Sequence, residues 1–122
     1  MTANVELLTQ AELCIALVGE KWSLLIVREI LAGRTKFSEI RQALRVSSEV
    51  LSDRLQLLVR QGILTRERYQ EPGSRTRDRY VLTTAGEALL PVITAMGTWG
   101  QTYGHQTANA ARGCASAASS EA

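Results

Sequence analysis

The sequence predicts a mainly α-helical domain that carries one small β-hairpin, an α+β fold. Apolar residues recur at helical spacing through most of residues 5–61. Two short runs typical of strands follow, separated by the turn signal Glu71-Pro72-Gly73-Ser74. The length of 122 residues suits a single domain of this kind.

Composition excludes several classes of protein. No apolar run approaches the ~18 residues of a membrane-spanning helix, and the N-terminus lacks the basic region of a signal peptide, so we expect a cytoplasmic chain without membrane contact. One histidine, His105, and two cysteines provide neither a metal cage nor a Ser-His-Asp triad. Because no catalytic or nucleotide-binding motif is present, we predict no enzyme activity, no cofactor and no metal site.

Positive charge is concentrated in the middle of the chain. Residues 34–79 contain eleven of the fourteen basic residues but only six of the twelve acidic ones, although the net charge is only +2. Twelve of the basic residues are arginine, which suits bidentate contacts to phosphate and guanine. This asymmetry indicates nucleic-acid binding, and an ordinary solvated basic face is the alternative.

Four helices are predicted before the hairpin. The first, about residues 5–18, has one apolar face. The second runs from Lys21 or Trp22 to about Ala32 and ends at Gly33. The third follows an N-cap at Ser38 and covers Glu39–Arg45. The fourth, about residues 48–61, has Ser47 as its N-cap candidate, and the short turn between the last two predicts a helix-turn-helix.

The second half predicts a wing and a long final helix. The wing covers about residues 63–82, and its strands are Ile63–Gln70 and Thr76–Leu82. The last helix, about residues 84–104, begins with a predicted Thr84–Glu87 capping box and has Pro91 in its first turns. Residues 1–104 therefore form a winged helix-turn-helix domain, and residues 105–122 form an Ala/Ser-rich tail, disordered or loosely helical.

The fourth helix is the candidate recognition helix. Its apolar side contains Leu51, Leu55 and Leu58, and its other side is polar. Serine and glutamine can read base edges, whereas Glu49 and Asp53 could accept from cytosine but also repel phosphate, so an ordinary solvated helix face stays open. The candidate DNA-binding residues are Lys36, Ser47, Ser48, Glu49, Ser52, Asp53, Arg54, Gln56, Arg75, Arg77 and Arg79.

The wing carries a stronger signal. Arg75, Arg77 and Arg79 alternate along one strand and are predicted to share a face. Three like charges on one face favour an anionic partner such as the minor groove with its flanking phosphates. Internal pairing with Glu67, Glu71 and Asp78 is the alternative, which alternation weakens by placing Glu67 and Asp78 on the opposite face.

The first and last helices have more apolar surface than a core of this size can cover, which predicts a homodimer. The predicted interface residues are Leu7, Ala11, Leu89, Ile93, Met96, Trp99 and Tyr103. Cys14 lies on the apolar face of the first helix, where a small core hydrophobe is the simplest interpretation. A thiol sensor would instead need exposure and a lowered pKa.

Residues 14–100 resemble the HxlR-type transcriptional regulators in register. The matching segments include Gly19-Glu20-Lys21-Trp22, Phe37-Ser38-Glu39-Ile40-Arg41, Gly62-Ile63-Leu64, Tyr69-Gln70-Glu71-Pro72-Gly73-Ser74-Arg75 and Trp99-Gly100. The resemblance implies a MarR-like winged-helix homodimer that binds operator DNA. It also implies that Cys14 stands where some members carry a sensor of oxidants or electrophiles.

The sequence therefore predicts a dimeric regulator that binds double-stranded DNA and responds to an oxidant, an electrophile or another small-molecule effector. The alternative is a winged helix that docks proteins without binding DNA. A basic wing favours the first, because a docking domain does not need three arginines on one strand face.

Overall fold

A computed structural model describes residues 5–112, which divide between Leu90 and Pro91 into two compact units. The elements are α1 (Val5–Val18), α2 (Lys21–Leu31), α3 (Phe37–Leu44), α4 (Ser48–Arg60), β1 (Leu64–Tyr69), β2 (Arg77–Leu82), α5 (Thr84–Glu87), α6 (Leu90–Trp99) and a π-helical turn (Gly100–Gly104). Helical residues 105–112 follow. The helices with one antiparallel hairpin confirm the predicted fold class.

The core of the first unit is built by α2, α3, α4 and the base of the hairpin. One face of each helix contributes, as the apolar spacing predicts. The fully or almost fully buried apolar residues of these elements are Ile26, Val27, Ile30, Ile40, Leu51, Leu55, Leu58, Leu64 and Tyr80. This packing fixes α4 with its apolar side inward, so its polar side faces solvent.

Two predicted helix starts are wrong by one or two residues. The helix α3 begins at Phe37 with Lys36 as N-cap, not with Ser38, because the Glu39 carboxylate accepts the backbone N–H of Lys36 at 3.1 Å. The short α5 is capped by Thr83 and not by the predicted Thr84. The Thr83 hydroxyl accepts the backbone N–H of Gly86 at 3.1 Å and donates to the carbonyl of Gly62 at 2.6 Å.

The turn of the helix-turn-helix has one unusual backbone conformation. Arg45 ends α3 in the left-handed region, with φ 52°, which a side chain with a Cβ adopts only at a cost. Two residues later the predicted N-cap is confirmed, because the Ser47 hydroxyl accepts the backbone N–H of Val50 at 3.2 Å. The turn thereby ends one helix and starts the next within three residues.

The register of the hairpin corrects the predicted faces of the wing. Glu67 lies directly opposite Arg79, and Tyr69 lies opposite Arg77. Directly opposite residues of an antiparallel pair share a face, so Glu67 is on the same face as Arg77 and Arg79, and the prediction that separated them is wrong. Arg75 precedes β2 and belongs to the loop, outside the strand alternation.

The predicted helix at residues 84–104 is not continuous. It is divided into α5 and α6, and the π-helical turn follows. Pro91 is the second residue of α6, where its missing N–H costs little. The first eight residues of the predicted tail, 105–112, are helical, and the rest of that prediction, with Cys114, lies outside the described residues.

Candidate nucleic-acid interface

The outer face of α4 presents the polar side chains that the sequence predicts. Ser48, Glu49, Asp53 and Gln56 are exposed, and Ser52 is half-buried. The buried leucines on the opposite side of α4 hold this face in place. The N-terminal turns of the helix, which read base edges in helix-turn-helix proteins, are therefore accessible.

Two predicted contact residues of α4 already have partners within the chain. The Ser47 hydroxyl caps the helix. The Nε atom of Arg54 lies 3.6 Å from the Glu20 carboxylate, and the same carboxylate caps α2 by accepting the backbone N–H groups of Trp22 and Ser23 at 3.0 and 3.2 Å. Arg54 thus links the recognition helix to α2.

An open groove runs between α4 and the wing. It brings Ser52 of α4 together with Arg75 and Arg77 of the wing, which are far from it in sequence. The remaining lining residues are Phe37, Ser38, Arg66, Tyr69, Thr76, Asp78 and Tyr80. One polar side chain of α4 and the guanidinium groups of the wing therefore converge on one surface.

Some of the wing arginines are internally paired. Arg79 lies 3.3 Å from Glu67, and Arg66 lies 3.6 Å from Asp78. No ion pair among residues 5–112 includes Arg75 or Arg77. The internal-pairing alternative thus applies to Arg79, whereas the guanidinium of Arg75 at the tip is exposed.

Lys36 stands at the junction of α3 and the wing. Its Nζ lies 2.6 Å from a carboxylate oxygen of Glu71 and 5.3 Å from the ring centre of Tyr69. The hydrogen bond and the opposite charge of Glu71 raise the pKa of Lys36, and Lys36, followed by Arg77, lowers the pKa of Glu71. Both groups are therefore ionised at neutral pH.

A second basic surface lies at the turn of the helix-turn-helix, and the sequence analysis missed it. Arg41 and Arg45 line a shallow depression that includes Ser47, the N-cap of α4. The first helix of a helix-turn-helix crosses the DNA backbone, so these guanidinium groups are candidates for phosphate contacts. The basic residues on either side of the predicted turn could have indicated this surface from the sequence.

The predicted dimer residues differ in exposure. Leu7 is 66% exposed, Met96 53%, Trp99 56% and Tyr103 50%. Ala11 is also exposed, whereas Leu89 and Ile93 are half-buried. Cys14 is a free, half-buried thiol on α1, and its role as a core residue or as a sensor stays a prediction.

Two further features bear on partners. Within residues 5–112, no group of three or more His, Cys, Asp or Glu side chains is placed to hold a metal ion. None of the described helices has the length and hydropathy needed to cross a membrane.

Comparison with known proteins identifies the family. Residues 17–108 match the family described as HxlR-like helix-turn-helix. This chain belongs to the HxlR family. An uncharacterised HTH-type transcriptional regulator of Mycobacterium tuberculosis is 38% identical over 87 residues, which are 71% of this chain and 54% of that relative. The HxlR chain thus spans about half the length of this curated relative.

Solved structures agree with the HxlR assignment. A regulator from Enterococcus faecalis that is assigned to the MarR family has a TM-score of 0.69 at 29% identity, covering 89% of this chain and 96% of that one. The redox regulator HypR in its reduced form has a TM-score of 0.69 at 26% identity, covering 77% and 92%. The predicted family is confirmed, and so is the prediction that the chain is not an enzyme, because its relatives are regulators.

Proposed function

We propose that this HxlR-family chain is a sequence-specific DNA-binding regulator of transcription. The groove in which Ser52 of α4 meets Arg75 and Arg77 of the wing carries the proposal. A duplex offers base edges in the major groove and phosphates beside it, and this surface has groups for both. In this proposal the protein acts as a homodimer on a pseudo-palindromic operator, with α4 in the major groove and the wing at the minor groove.

The proposal divides the work between two sets of side chains. Ser48, Ser52 and Gln56 read base edges, because serine is adaptable and glutamine pairs well with adenine. Arg75 and Arg77 contact phosphates or the minor groove and supply affinity that depends on salt. Lys36, Arg54 and Arg79, which have acidic partners in the chain, position these elements.

Selection from a random pool of duplex DNA tests the proposal without knowledge of the operator. We expect enrichment of an inverted repeat whose half-sites lie about one helical turn apart, or a multiple of it. Affinity for the selected site should fall steeply with added salt. A pool that remains unenriched at low salt would contradict DNA-binding function.

The homodimer rests on the apolar side chains of α1 and α6. Six large apolar residues of α1 are 46–77% exposed, and Leu90, Val92, Met96 and Trp99 on α6 are 39–56% exposed. Such surface usually marks an interface. Light scattering of Met96→Glu should show dissociation, with Thr98→Glu on another side of α6 as the matched control. A wild-type protein that is monomeric at micromolar concentration would refute the dimer.

Regulation through Cys14 forms part of the proposal. The thiol is half-buried on α1, a helix that the dimer proposal places at the interface, and the similarity to the redox regulator HypR supports this role. Oxidation or alkylation would add a polar or bulky group there and change the distance between the two recognition helices. A small ligand bound at this interface would regulate DNA binding in the same way, by changing the distance between the two recognition helices.

Operator affinity of wild type and Cys14→Ser, measured before and after peroxide or a quinone, tests this role. Only the wild-type protein should lose affinity. Equal loss in both proteins, or loss in neither, would remove Cys14 as the sensor.

The second candidate is a protein-docking module. The acidic side chains Glu49 and Asp53 on the outer face of α4, and the internally paired Arg66 and Arg79, favour it. A docking module would hold DNA only through non-specific charge, so an acidic peptide should displace the duplex. Competition between a selected duplex and poly-glutamate at equal charge concentration separates the two functions, because only DNA binding resists the peptide.

A further inference from the structure

We infer that Lys36 and Glu71 form a strut that holds the tip of the wing against the helix-turn-helix. The inference rests on the proposed function and assigns Lys36 to positioning the wing, not to a phosphate contact. Lys36 precedes α3, whereas Glu71 lies in the loop at the far end of the hairpin. The two residues are 35 positions apart in sequence, and their side chains form a hydrogen-bonded ion pair with a distance of 2.6 Å.

Backbone contacts anchor the wing to the segment before α3 no further out than the middle of β2. The N–H of Tyr80 donates to the carbonyl of Thr35 at 2.8 Å, and Lys36 forms an isolated bridge with Arg79. Beyond these residues the hairpin consists of two strands, and an isolated two-stranded hairpin is marginally stable in water. The orientation of the tip therefore depends on side chains.

Tyr69 extends the strut into the hairpin. The Lys36 Nζ lies 5.3 Å from its ring centre, and the guanidinium carbon of Arg79 lies 6.0 Å from it. Cations attract the face of an aromatic ring at these distances. The Arg79 guanidinium is held in turn by Glu67 at 3.3 Å. The ring thus joins a cation of the helix-turn-helix to a cation of β2.

The strut explains an acidic side chain at the tip of a basic wing. A lone carboxylate there would repel phosphate, and neutralising it would strengthen DNA binding. Glu71 is instead paired with Lys36. Replacing Glu71 therefore releases the tip of the wing and displaces Arg75 and Arg77. Loss of affinity after removal of a negative charge is therefore the signature of the strut.

DNA affinity and its salt dependence test this signature with Lys36→Met, Glu71→Gln and the double variant. Because exposed ion pairs contribute little, we expect each single variant to bind about threefold more weakly and the double variant no more weakly than the singles. The salt slope should change by the same amount in Lys36→Met and Glu71→Gln, whereas loss of a phosphate contact lowers it by about one in Lys36→Met alone. Lys21→Met and Glu87→Gln are the charge-matched controls.

Two results would overturn the inference. Wild-type or tighter binding by Glu71→Gln would show that Glu71 merely repels DNA, and a salt slope that is lowered in Lys36→Met but not in Glu71→Gln would assign Lys36 to a phosphate. The exchanged pair Lys36→Glu with Glu71→Lys provides a rescue test, since a strut restores affinity toward wild type and a phosphate contact does not.

Amide hydrogen exchange of residues 70–77 tests the strut without DNA. Exchange should be faster in both single variants and restored in the exchanged pair, and equal exchange in all proteins would overturn the inference. If the wild-type protein selects no DNA, the proposed function fails while this measurement still decides whether the strut exists.

Discussion

Gln61 donates a hydrogen bond from its side-chain Nε2 to the backbone carbonyl of Leu17, over 3.1 Å. Gln61 is the C-cap of α4, and Leu17 is the penultimate residue of α1. The contact therefore joins the end of the recognition helix to the end of the helix that carries Cys14. We therefore expect a displacement of α1 to be felt at the end of α4.

Replacing Gln61 by alanine should weaken that joint. We expect the free energy of unfolding to fall by about 1 kcal/mol, the typical net value of a hydrogen bond. Amide exchange at Val18 and Gly19 should also become faster. Urea denaturation and hydrogen exchange measure the two effects, with Gln56→Ala on the exposed face of α4 as the control. If Gln61→Ala and Gln56→Ala showed identical amide exchange at the end of α1, the hydrogen bond would not couple α1 to α4.

Replacing Arg75 by alanine should weaken binding to all duplexes similarly and lower the salt slope by about one unit. Ser52→Ala should instead reduce discrimination at one base position by about 1–3 kcal/mol. Fluorescence anisotropy with matched and mismatched duplexes at several salt concentrations measures both, and Arg112→Ala is the charge-matched control. A loss with Arg75→Ala that is confined to one duplex would mean that this arginine reads bases or groove shape.

Gly86 should tolerate no side chain. A Cβ there would overlap the carbonyl oxygen of Ile63 and lie 2.9 Å from a methyl carbon of Leu82. Because neither the backbone oxygen of Ile63 nor Leu82 in the paired strand β2 can move freely, Gly86→Ala should lower the free energy of unfolding by about 1–3 kcal/mol. Urea denaturation measures the effect, and the exposed neighbour variant Ala85→Ser should match wild type. Equal midpoints for all three proteins would contradict the close packing.

Arg45→Gly should separate stability from binding. Glycine adopts the left-handed conformation of this residue without the penalty of a Cβ, so the free energy of unfolding should rise by about 1 kcal/mol. DNA affinity should fall, because the depression beside Ser47 loses a guanidinium. Arg45→Asn, which tolerates the same conformation, should lose affinity equally. Unchanged affinity in both variants would exclude Arg45 from the DNA contact.

Tyr80 should make the domain sensitive to alkali. Burial raises the pKa of Tyr80 above 10.0, while the positive charge of Arg66 opposes this shift and the negative charge of Asp78 adds to it. The neutral phenol is thus favoured in the folded state, so its stabilising contribution is complete below pH 10 and declines as the pH rises through the raised pKa. Tyr80→Phe should remove this decline in urea denaturation between about pH 9 and 11. The exposed variant Tyr103→Phe should retain it, and identical pH profiles for all proteins would refute the assignment.

The helix-turn-helix could be predicted well from sequence, because the spacing of its apolar residues allows only one orientation of each helix. Leu51, Leu55 and Leu58 can only face inward together, and Ser47 satisfies the free N–H groups at the start of α4. The polar face of the recognition helix follows from that geometry, so the larger part of the candidate site was predictable.

The wing was predicted less accurately because strand alternation gives the faces within a strand but not the register between strands. Glu67 was therefore placed away from Arg79, which it contacts. The contact between Lys36 and Glu71 depends on where the hairpin meets α3, and no local pattern encodes that meeting point. The start of α3 was misplaced for a similar reason, since the Glu39 carboxylate replaces a capping hydroxyl.

The hairpin register also determines where the length of the wing can change during evolution. An odd insertion within β1 or β2 would exchange the two faces beyond it and could turn Tyr80 toward water and Arg79 into the core. An insertion between Glu71 and Arg77 leaves both the strand register and the strut with Lys36 in place. New DNA contacts can therefore be acquired through this short loop, while the rest of the domain keeps its fold.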